Sequence, residues 1–316
     1  MNKGSRVPGF RGFRGFRVPG FGYAIFVALL VECAVLAVAT DAFLTPANLG
    51  NVLRQNAFTA ILAAGMTFVI LTAGIDLSVG SVVGLSGMVC ASVMAAGSGV
   101  PAGVASGLVV GLAVGVLNGA AITTLRVPAF VVTLATMLIV RGAAYKLTDA
   151  RTVSGLPAGF GALSSSFASA TLMIGIFVAA WLLLMRTPFG RHVYAVGGNA
   201  EAAWLSGVRV ARVQFAVYTL CGLTAGAAGV LVASRLNAGY PRAGEFYELD
   251  AIAAVVVGGT SLFGGRGSIW GTLAGAFFIG VLNNGLNLFR VSPYDQLIVK
   301  GVVLLAAASL DRWRRA

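Results

Sequence analysis

Long apolar stretches repeat along nearly the whole chain and are separated by short groups of glycine, proline and charged residues. A helix needs about 20 apolar residues to cross a hydrocarbon core of about 30 Å, and most of these stretches approach that length. The pattern therefore predicts about ten membrane-spanning helices joined by short connections. The predicted spans are 22–40, 50–73, 77–97, 101–123, 127–148, 169–186, 211–233, 248–264, 268–289 and 294–310.

Composition supports an all-α, polytopic membrane protein. Hydrophobic residues make up 58% of the chain, charged residues make up 10%, and the mean hydropathy is +0.91. Soluble domains usually carry about 25% charged residues, and 316 residues leave little room for one beside ten spans. Cys33, Cys90 and Cys221 lie in separate apolar runs, which favours packing roles over a disulfide or a metal site.

The formal net charge of +12 does not require a nucleic-acid partner, because basic residues collect on the cytoplasmic side of membrane proteins. Residues 1–21 form a basic arm that repeats Gly-Phe-Arg and would hold the N-terminus inside, although an arm that binds RNA or lipid is the alternative. With an even number of spans, both termini are cytoplasmic. We therefore predict a transmembrane domain at 22–310, a cytoplasmic loop at 187–210 and a basic cytoplasmic tail at 311–316.

The long cytoplasmic loop is predicted to contain a short capped helix. Asn199 is a good N-cap, Glu201 falls in the first turn, where a carboxylate suits the helix dipole, and Gly207 can adopt the left-handed C-cap. This spacing predicts a helix of about two turns, roughly 10 Å long. Ala202 and Ala203 would leave its face almost bare, so that another protein's backbone could approach closely. Such a helix suits contact with a motor subunit.

Glycines at regular spacing predict helix–helix contacts. Lipid offers no hydrophobic drive for helices to associate, so close backbone approach at small residues takes its place. Glycines recur every four residues along one predicted span, at Gly107, Gly111, Gly115 and Gly119. The same spacing occurs in three other spans, at Gly80 and Gly84, Gly222 and Gly226, and Gly271 and Gly275.

Polar residues within the spans are the candidates for a solute path or a gate. Asp76 interrupts a long apolar stretch, and a charge there must cap a helix, pair, or face water. It would either cap the third span or mark a broken segment that lines or gates the path. Amide side chains could bind a hydroxyl-rich solute or bond between helices. They include Asn56, Asn118, Asn283 and Asn284, of which Asn283 and Asn284 are the better candidates as a pair, beside Gln55 and Asn287.

Three function classes remain: a passive or ion-coupled carrier, a membrane enzyme, and the membrane subunit of a pump driven by another chain. The chain has no Gly-x-x-x-x-Gly-Lys-Ser/Thr phosphate loop, and the single histidine, His192, has no partners at metal spacing. A proton-coupled carrier usually needs ionisable relays in the membrane, and the chain offers Glu32 and Asp76. The capped loop helix favours the pump subunit.

Four sequence blocks resemble those of a known family. They include Gly74-Ile75-Asp76-Leu77-Ser78 within 65–81, Val127-Pro128-Ala129-Phe130 within 127–137, and two longer blocks at 189–207 and 247–268. Together they resemble the permease subunits of bacterial ABC importers for monosaccharides, of the ribose, xylose and galactose type. The resemblance extends from residue 48 to residue 311, and permeases of the branched-chain amino-acid type are the nearest alternative.

The resemblance implies a type II importer-like permease in the bacterial inner membrane. It implies a second permease copy in a homodimer or heterodimer, a separate ATPase that alone binds ATP and Mg²⁺, and a periplasmic sugar-binding protein. The permease itself would hold no cofactor, catalyse no reaction and bind no nucleic acid. The helix from Glu201 to Gly207 would then be the coupling helix that contacts the ATPase. Trp204 departs from the pattern, because these permeases often have a smaller or charged side chain there.

Overall fold

The computed structural model describes the backbone of residues 21–313 and the side chains of residues 24–309. Nearly all of the predicted basic arm, 1–21, and the last three residues of the predicted tail, 311–316, lie outside the described residues. The described residues form twelve α-helices and one 3-10 helix at Phe160–Ser164. The α-helices are α1 Phe21–Ala39, α2 Pro46–Leu71, α3 Val79–Ala95, α4 Gly99–Thr124, α5 Ala129–Lys146, α6 Ser166–Arg186, α7 Pro188–Gly198, α8 Ala200–Leu205, α9 Val210–Leu236, α10 Tyr247–Val257, α11 Ile269–Leu288 and α12 Pro293–Trp313.

The all-α prediction is confirmed for the described part of the chain, where the β-pairing consists of an isolated bridge between Val153 and Gly239. A helix occupies each of the ten predicted span positions, and six of the described helices are long and apolar enough to cross a membrane. The predicted eighth span, 248–264, is wrong as a full crossing. Its helix, α10, has 11 residues and is therefore only about 16 Å long.

Helices α2 and α9 form the centre of the bundle. The most apolar part of α2 is 83% buried inside the protein, and α9 packs against α2, α3 and α4. A helix that is apolar on all sides is expected at such a position, because protein surrounds it. Outer helices such as α5 and α6 instead expose large apolar side chains, as lipid-facing helices do.

The glycines of α4 lie against α9. A Cβ atom added at Gly111 would lie 2.4 Å from the carbonyl oxygen of Gly222, and one at Gly115 would lie 2.6 Å from that of Tyr218. Gly107 meets Val230 and Ser86, and Gly119 meets Phe215. Because these contacts are mostly to backbone, the two helices approach as closely as the absence of side chains allows.

Gly80 and Gly84 do not form the predicted helix–helix contact. They face the non-helical connection 237–246 between α9 and α10, and a Cβ at Gly80 would lie 2.3 Å from the Gly244 carbonyl oxygen. The connection runs along α3 from Gly239, beside Met88, to Gly244. Helix α10 begins only after this connection and ends at Val257, so the last part of the predicted eighth span, 258–264, is not helical.

Irregular backbone within a membrane bundle is stable only where protein satisfies its polar groups. The guanidinium of Arg141 supplies some of the hydrogen bonds that the connection 237–246 needs. Its Nη1 donates to the carbonyl oxygens of Pro241 at 3.0 Å and Ala243 at 2.8 Å. Arg141 is therefore held inside the bundle by backbone acceptors. The sequence offered this arginine no acidic partner one helical turn away.

Candidate coupling surface and membrane gate

The loop 187–210 folds into two short helices, α7 and α8. The second was predicted, whereas α7 was missed. Its signal is present in the sequence: Thr187 is the N-cap and its side chain accepts from the Gly190 N–H at 3.3 Å, with Pro188 at the first helical position. Helix α7 also packs against α6 and α9, so it fixes α8 to the bundle.

Helix α8 has the caps that its sequence suggests. The Asn199 Oδ1 accepts from the Ala202 N–H at 2.9 Å. Gly207 has a φ of +86°, its N–H donates to the Trp204 carbonyl at 2.9 Å, and the Val208 N–H donates to the Ala203 carbonyl at 3.0 Å. These two bonds form a Schellman motif, which needs the left-handed residue that glycine adopts most easily.

The exposed face of α8 differs from the predicted one. Ala203 is only 5% exposed and packs into the main core, whereas Trp204 and Leu205 are 65% and 73% exposed. Ala202 is exposed but Ala203 lies on the side of α8 that faces the bundle. The small Ala203 lets α8 lie close to the bundle. The exposed surface is therefore bulky and apolar, with Ala202 and Glu201 beside it.

Asp76 lies in the break between α2 and α3 and is 1% exposed. Its Oδ1 accepts from the Ser78 N–H at 2.9 Å and from the Ser78 hydroxyl at 2.6 Å. The Asn118 Nδ2 donates to Ser78 Oγ at 2.9 Å, and the Thr136 hydroxyl donates to Asn118 Oδ1 at 2.7 Å. These four residues, Asp76, Ser78, Asn118 and Thr136, tie the break to α4 and α5, and we call them the gate network after the predicted role of Asp76.

The gate network lies inside the bundle. Asn118 is six residues from the end of α4 at Thr124, a distance of about 9 Å along the helix. The alternative that Asp76 caps the third span is wrong, because α3 begins at Val79 and the N-cap position is Ser78, which makes no capping bond. The sequence identified Asp76 and Asn118 but not Ser78 or Thr136, because nothing in the sequence links Asn118 to Ser78, 40 positions before it, or to Thr136, 18 positions after it.

The remaining amides do not line one common path. Asn56 is 1% exposed, and its side chain fills the space above Gly280, where any Cβ would collide with it. Asn284 exchanges two hydrogen bonds with Asn48, at 3.0 and 2.8 Å, and so fastens α11 to the start of α2. Asn283 does not join this exchange, and among the described residues its buried Oδ1 has no partner. The two amides therefore have different surroundings in this chain, and their joint role on a solute path stays a prediction.

The described residues hold no group of three or more His, Cys, Asp or Glu that could bind a metal ion. His192 is exposed on α7. Near it, the Tyr194 hydroxyl donates to the Gly267 carbonyl at 3.0 Å, and burial raises the pKa of Tyr194 to about 12. Tyr194 is therefore a neutral structural donor at physiological pH.

Comparison with known proteins gives a consistent set of matches. A family model described as a branched-chain amino acid transport system permease component matches residues 48–308. The chain is 48% identical over 298 residues to the ribose import permease protein RbsC of Bacillus subtilis (strain 168), with 92% of each chain covered. It is 46% identical over 299 residues to RbsC of Escherichia coli (strain K12), with 90% of this chain and 92% of that protein covered.

A third relative is the xylose transport system permease protein XylH of Escherichia coli (strain K12). It is 37% identical over 374 residues, with 96% of this chain and 95% of that protein covered. No solved structure matches the chain.

Proposed function

Because this chain belongs to the family of branched-chain amino acid transport system permease components, we propose that it is the membrane-spanning subunit of an ATP-driven monosaccharide importer. The subunit would sit in the bacterial inner membrane as a multi-pass protein. It would open and close a path for the solute, and ATP would be hydrolysed by a separate chain that binds the nucleotide and Mg²⁺.

A sugar substrate is favoured over a branched-chain amino acid. The family description covers amino-acid permeases, but the three relatives above are named for ribose and xylose and match over nine-tenths or more of this chain. The sequence blocks around Asp76 and from 247 to 268 are also of the sugar-permease type.

The observation that carries the proposal is the solvent-exposed surface of α8. Trp204 and Leu205 form an exposed apolar pair on a helix that Asn199 and Gly207 hold in a fixed orientation. Exposed basic residues lie before and after it in the chain, at Arg191, Arg209 and Arg212. A partner with an apolar groove and an acidic rim would fit this surface. We assign that partner as the ATPase subunit.

The gate network is the proposed moving part inside the membrane. Hydrogen bonds to α4 and α5 hold the non-helical break between α2 and α3 in its present conformation. Such a break can change its backbone angles with less loss of hydrogen bonding than a continuous helix. We assign Asp76 and Asn118 to the gate, and leave Asn56, Asn283 and Asn284 as packing residues near the path.

The outer partners follow from the same assignment. A periplasmic sugar-binding protein would deliver the solute, and a second permease copy would complete the path. Exposed arginines on the predicted outer side could meet acidic residues of the binding protein. They include Arg151, Arg235, Arg242 and Arg290.

Proteoliposomes test the function. The permease is reconstituted with the ATPase and binding protein encoded by neighbouring genes, and uptake of labelled ribose, xylose and leucine is measured. We expect uptake of a sugar that requires ATP, the ATPase and the binding protein. Leucine uptake in place of sugar uptake would assign the amino-acid class, and uptake without the ATPase would make the chain a carrier.

The ATPase contact is tested separately by co-purification. We expect Trp204→Ala with Leu205→Ala to reduce the amount of ATPase retained, because the apolar anchor of the contact is lost. Tyr240→Ala is the matched control, since Tyr240 is an exposed aromatic residue at the opposite end of the bundle. Equal retention of ATPase by all variants would reject α8 as the contact.

A further inference from the structure

Two helix ends and one connection meet backbone to backbone at the end of the bundle that carries α7 and α8. The Gly265 N–H, in the connection between α10 and α11, donates to the carbonyl oxygen of Leu71, the last residue of α2, at 2.9 Å. Gly197, in the last turn of α7, lies against both: a Cβ there would be 1.7 Å from the Leu71 oxygen and 2.5 Å from the Gly265 nitrogen. We call Leu71, Gly197 and Gly265 the glycine joint.

Neighbouring contacts strengthen the joint on each side. Gly264 has a φ of +80°, and a Cβ there would lie 2.8 Å from the Ala73 nitrogen and 2.9 Å from the Gly197 oxygen. On the other side, the Tyr194 hydroxyl of α7 reaches the Gly267 carbonyl. Because the contacts are between backbone atoms, no flexible side chain is present to absorb a displacement.

The position of the joint connects the two functional regions. Gly197 is two residues before Asn199, which caps α8 and its exposed surface. Leu71 is the last residue before the break between α2 and α3, and it is five residues before Asp76 of the gate network. The joint is thus a short, rigid path from the coupling surface to the gate.

We propose that the glycine joint transmits movement of α7 and α8 to the break between α2 and α3, so that ATPase motion is converted into opening of the gate. This inference rests on the proposed function. Gly197 and Gly265 act as positioning residues, and neither is expected to contact the sugar. Small residues are required because any side chain at Gly197 would separate α7 from α2.

Adjacent glycines supply a matched test. Gly197→Ala inserts a methyl group into the joint, whereas Gly198→Ala inserts one where no atom lies within 4 Å. In proteoliposomes containing the complete transporter, sugar uptake and ATP hydrolysis are measured together. Coupling between sites typically corresponds to 5–150-fold, so we expect Gly197→Ala to lower the sugar moved per ATP hydrolysed by roughly fivefold or more. Gly198→Ala should keep the wild-type ratio.

The ratio of sugar moved to ATP hydrolysed distinguishes weaker coupling from a loss of folded protein. A smaller amount of assembled transporter lowers uptake and hydrolysis in proportion and leaves the ratio unchanged. Tyr194→Phe provides a milder variant if Gly197→Ala does not assemble; it removes the bond to Gly267 and should lower the ratio in the same direction. A wild-type ratio in every assembled joint variant would overturn the inference. The proposed function fails on a different result, namely no ATP-dependent sugar uptake by the wild type.

Discussion

Lys300 Nζ lies 2.9 Å from Asp250 Oδ1 and donates to Oδ2 at 3.0 Å, joining α12 to the short helix α10. Asp250 is buried, and apolar side chains such as Leu249, Ile279 and Leu304 line the same cavity. The described part of α12 packs mainly against α10. This ion pair is therefore a principal attachment of α12 to the bundle.

We expect Lys300→Met to destabilise the protein strongly, because it leaves a buried carboxylate without its partner; such changes cost about 3–5 kcal/mol. The double variant Asp250→Asn with Lys300→Met should recover part of the loss. Thermal unfolding in detergent measures both, with Arg290→Met as the exposed control. If the single and double variants unfold at the same temperature, the pair is not coupled.

The contact between α4 and α9 should not tolerate a methyl group. A Cβ at Gly111 would lie 2.4 Å from the Gly222 oxygen, so Gly111→Ala must separate two helices and should cost about 1–3 kcal/mol. Gly175→Ala in α6 meets no atom within 4 Å and should be neutral or slightly stabilising. Equal unfolding temperatures for the two variants would contradict the packing argument.

The left-handed cap of α8 should matter for coupling and not for sugar binding by the partner protein. Gly207→Val forces a β-branched residue to a φ of +86° and should reduce ATPase co-purification or ATP-driven uptake. Gly207→Asn should be milder, because asparagine tolerates this region better. Glu201→Ala should have a smaller effect of the same kind. The affinity of the isolated binding protein for sugar serves as the unchanged control.

Asp76→Ala should reduce uptake, because it removes the acceptor for both the N–H and the hydroxyl of Ser78 and loosens the gate network. Asn118→Ala should act in the same direction, since it removes the link from Ser78 to Thr136. Membrane protein levels are measured alongside uptake of the transported sugar. Normal uptake at normal levels in both variants would exclude a gating role for this network.

Glu245, in the connection before α10, gives a pH-dependent prediction. Arg242 donates to its carboxylate at 3.0 and 3.1 Å, and Tyr145 donates at 3.0 Å, which together hold the pKa of Glu245 below its ordinary value of 4.5. The folded state thus favours the charged form. The charged Glu245 carboxylate therefore stabilises the folded protein above pH 4.5, and this stabilisation is lost as the pH falls through the lowered pKa.

The unfolding temperatures of the wild type and Glu245→Gln measure this contribution across that range. The wild type should be more stable at neutral pH, and the difference should shrink in acid. A difference that does not change with pH would mean that the carboxylate charge contributes nothing. The effect should also weaken at high salt, because Arg242 is largely exposed.

The apolar runs determined the membrane class and the positions of ten helices, because burying a helix in lipid depends on length and composition, both of which are local. The caps of α8 were local too: Asn199 and Gly207 act on backbone groups within a few residues of themselves. Even the α4 glycine repeat could be found in sequence, since its period matches a helix face.

Tertiary structure alone decided which surfaces meet. It buried Ala203 and exposed Trp204, brought Ser78, Asn118 and Thr136 to Asp76, and gave Lys300 its partner Asp250. It also ended the predicted eighth span at Val257, and it placed the irregular connection 237–246 along α3, where Arg141 of another helix donates to two of its carbonyls. Each of these depends on residues distant in sequence, so no local pattern could specify it.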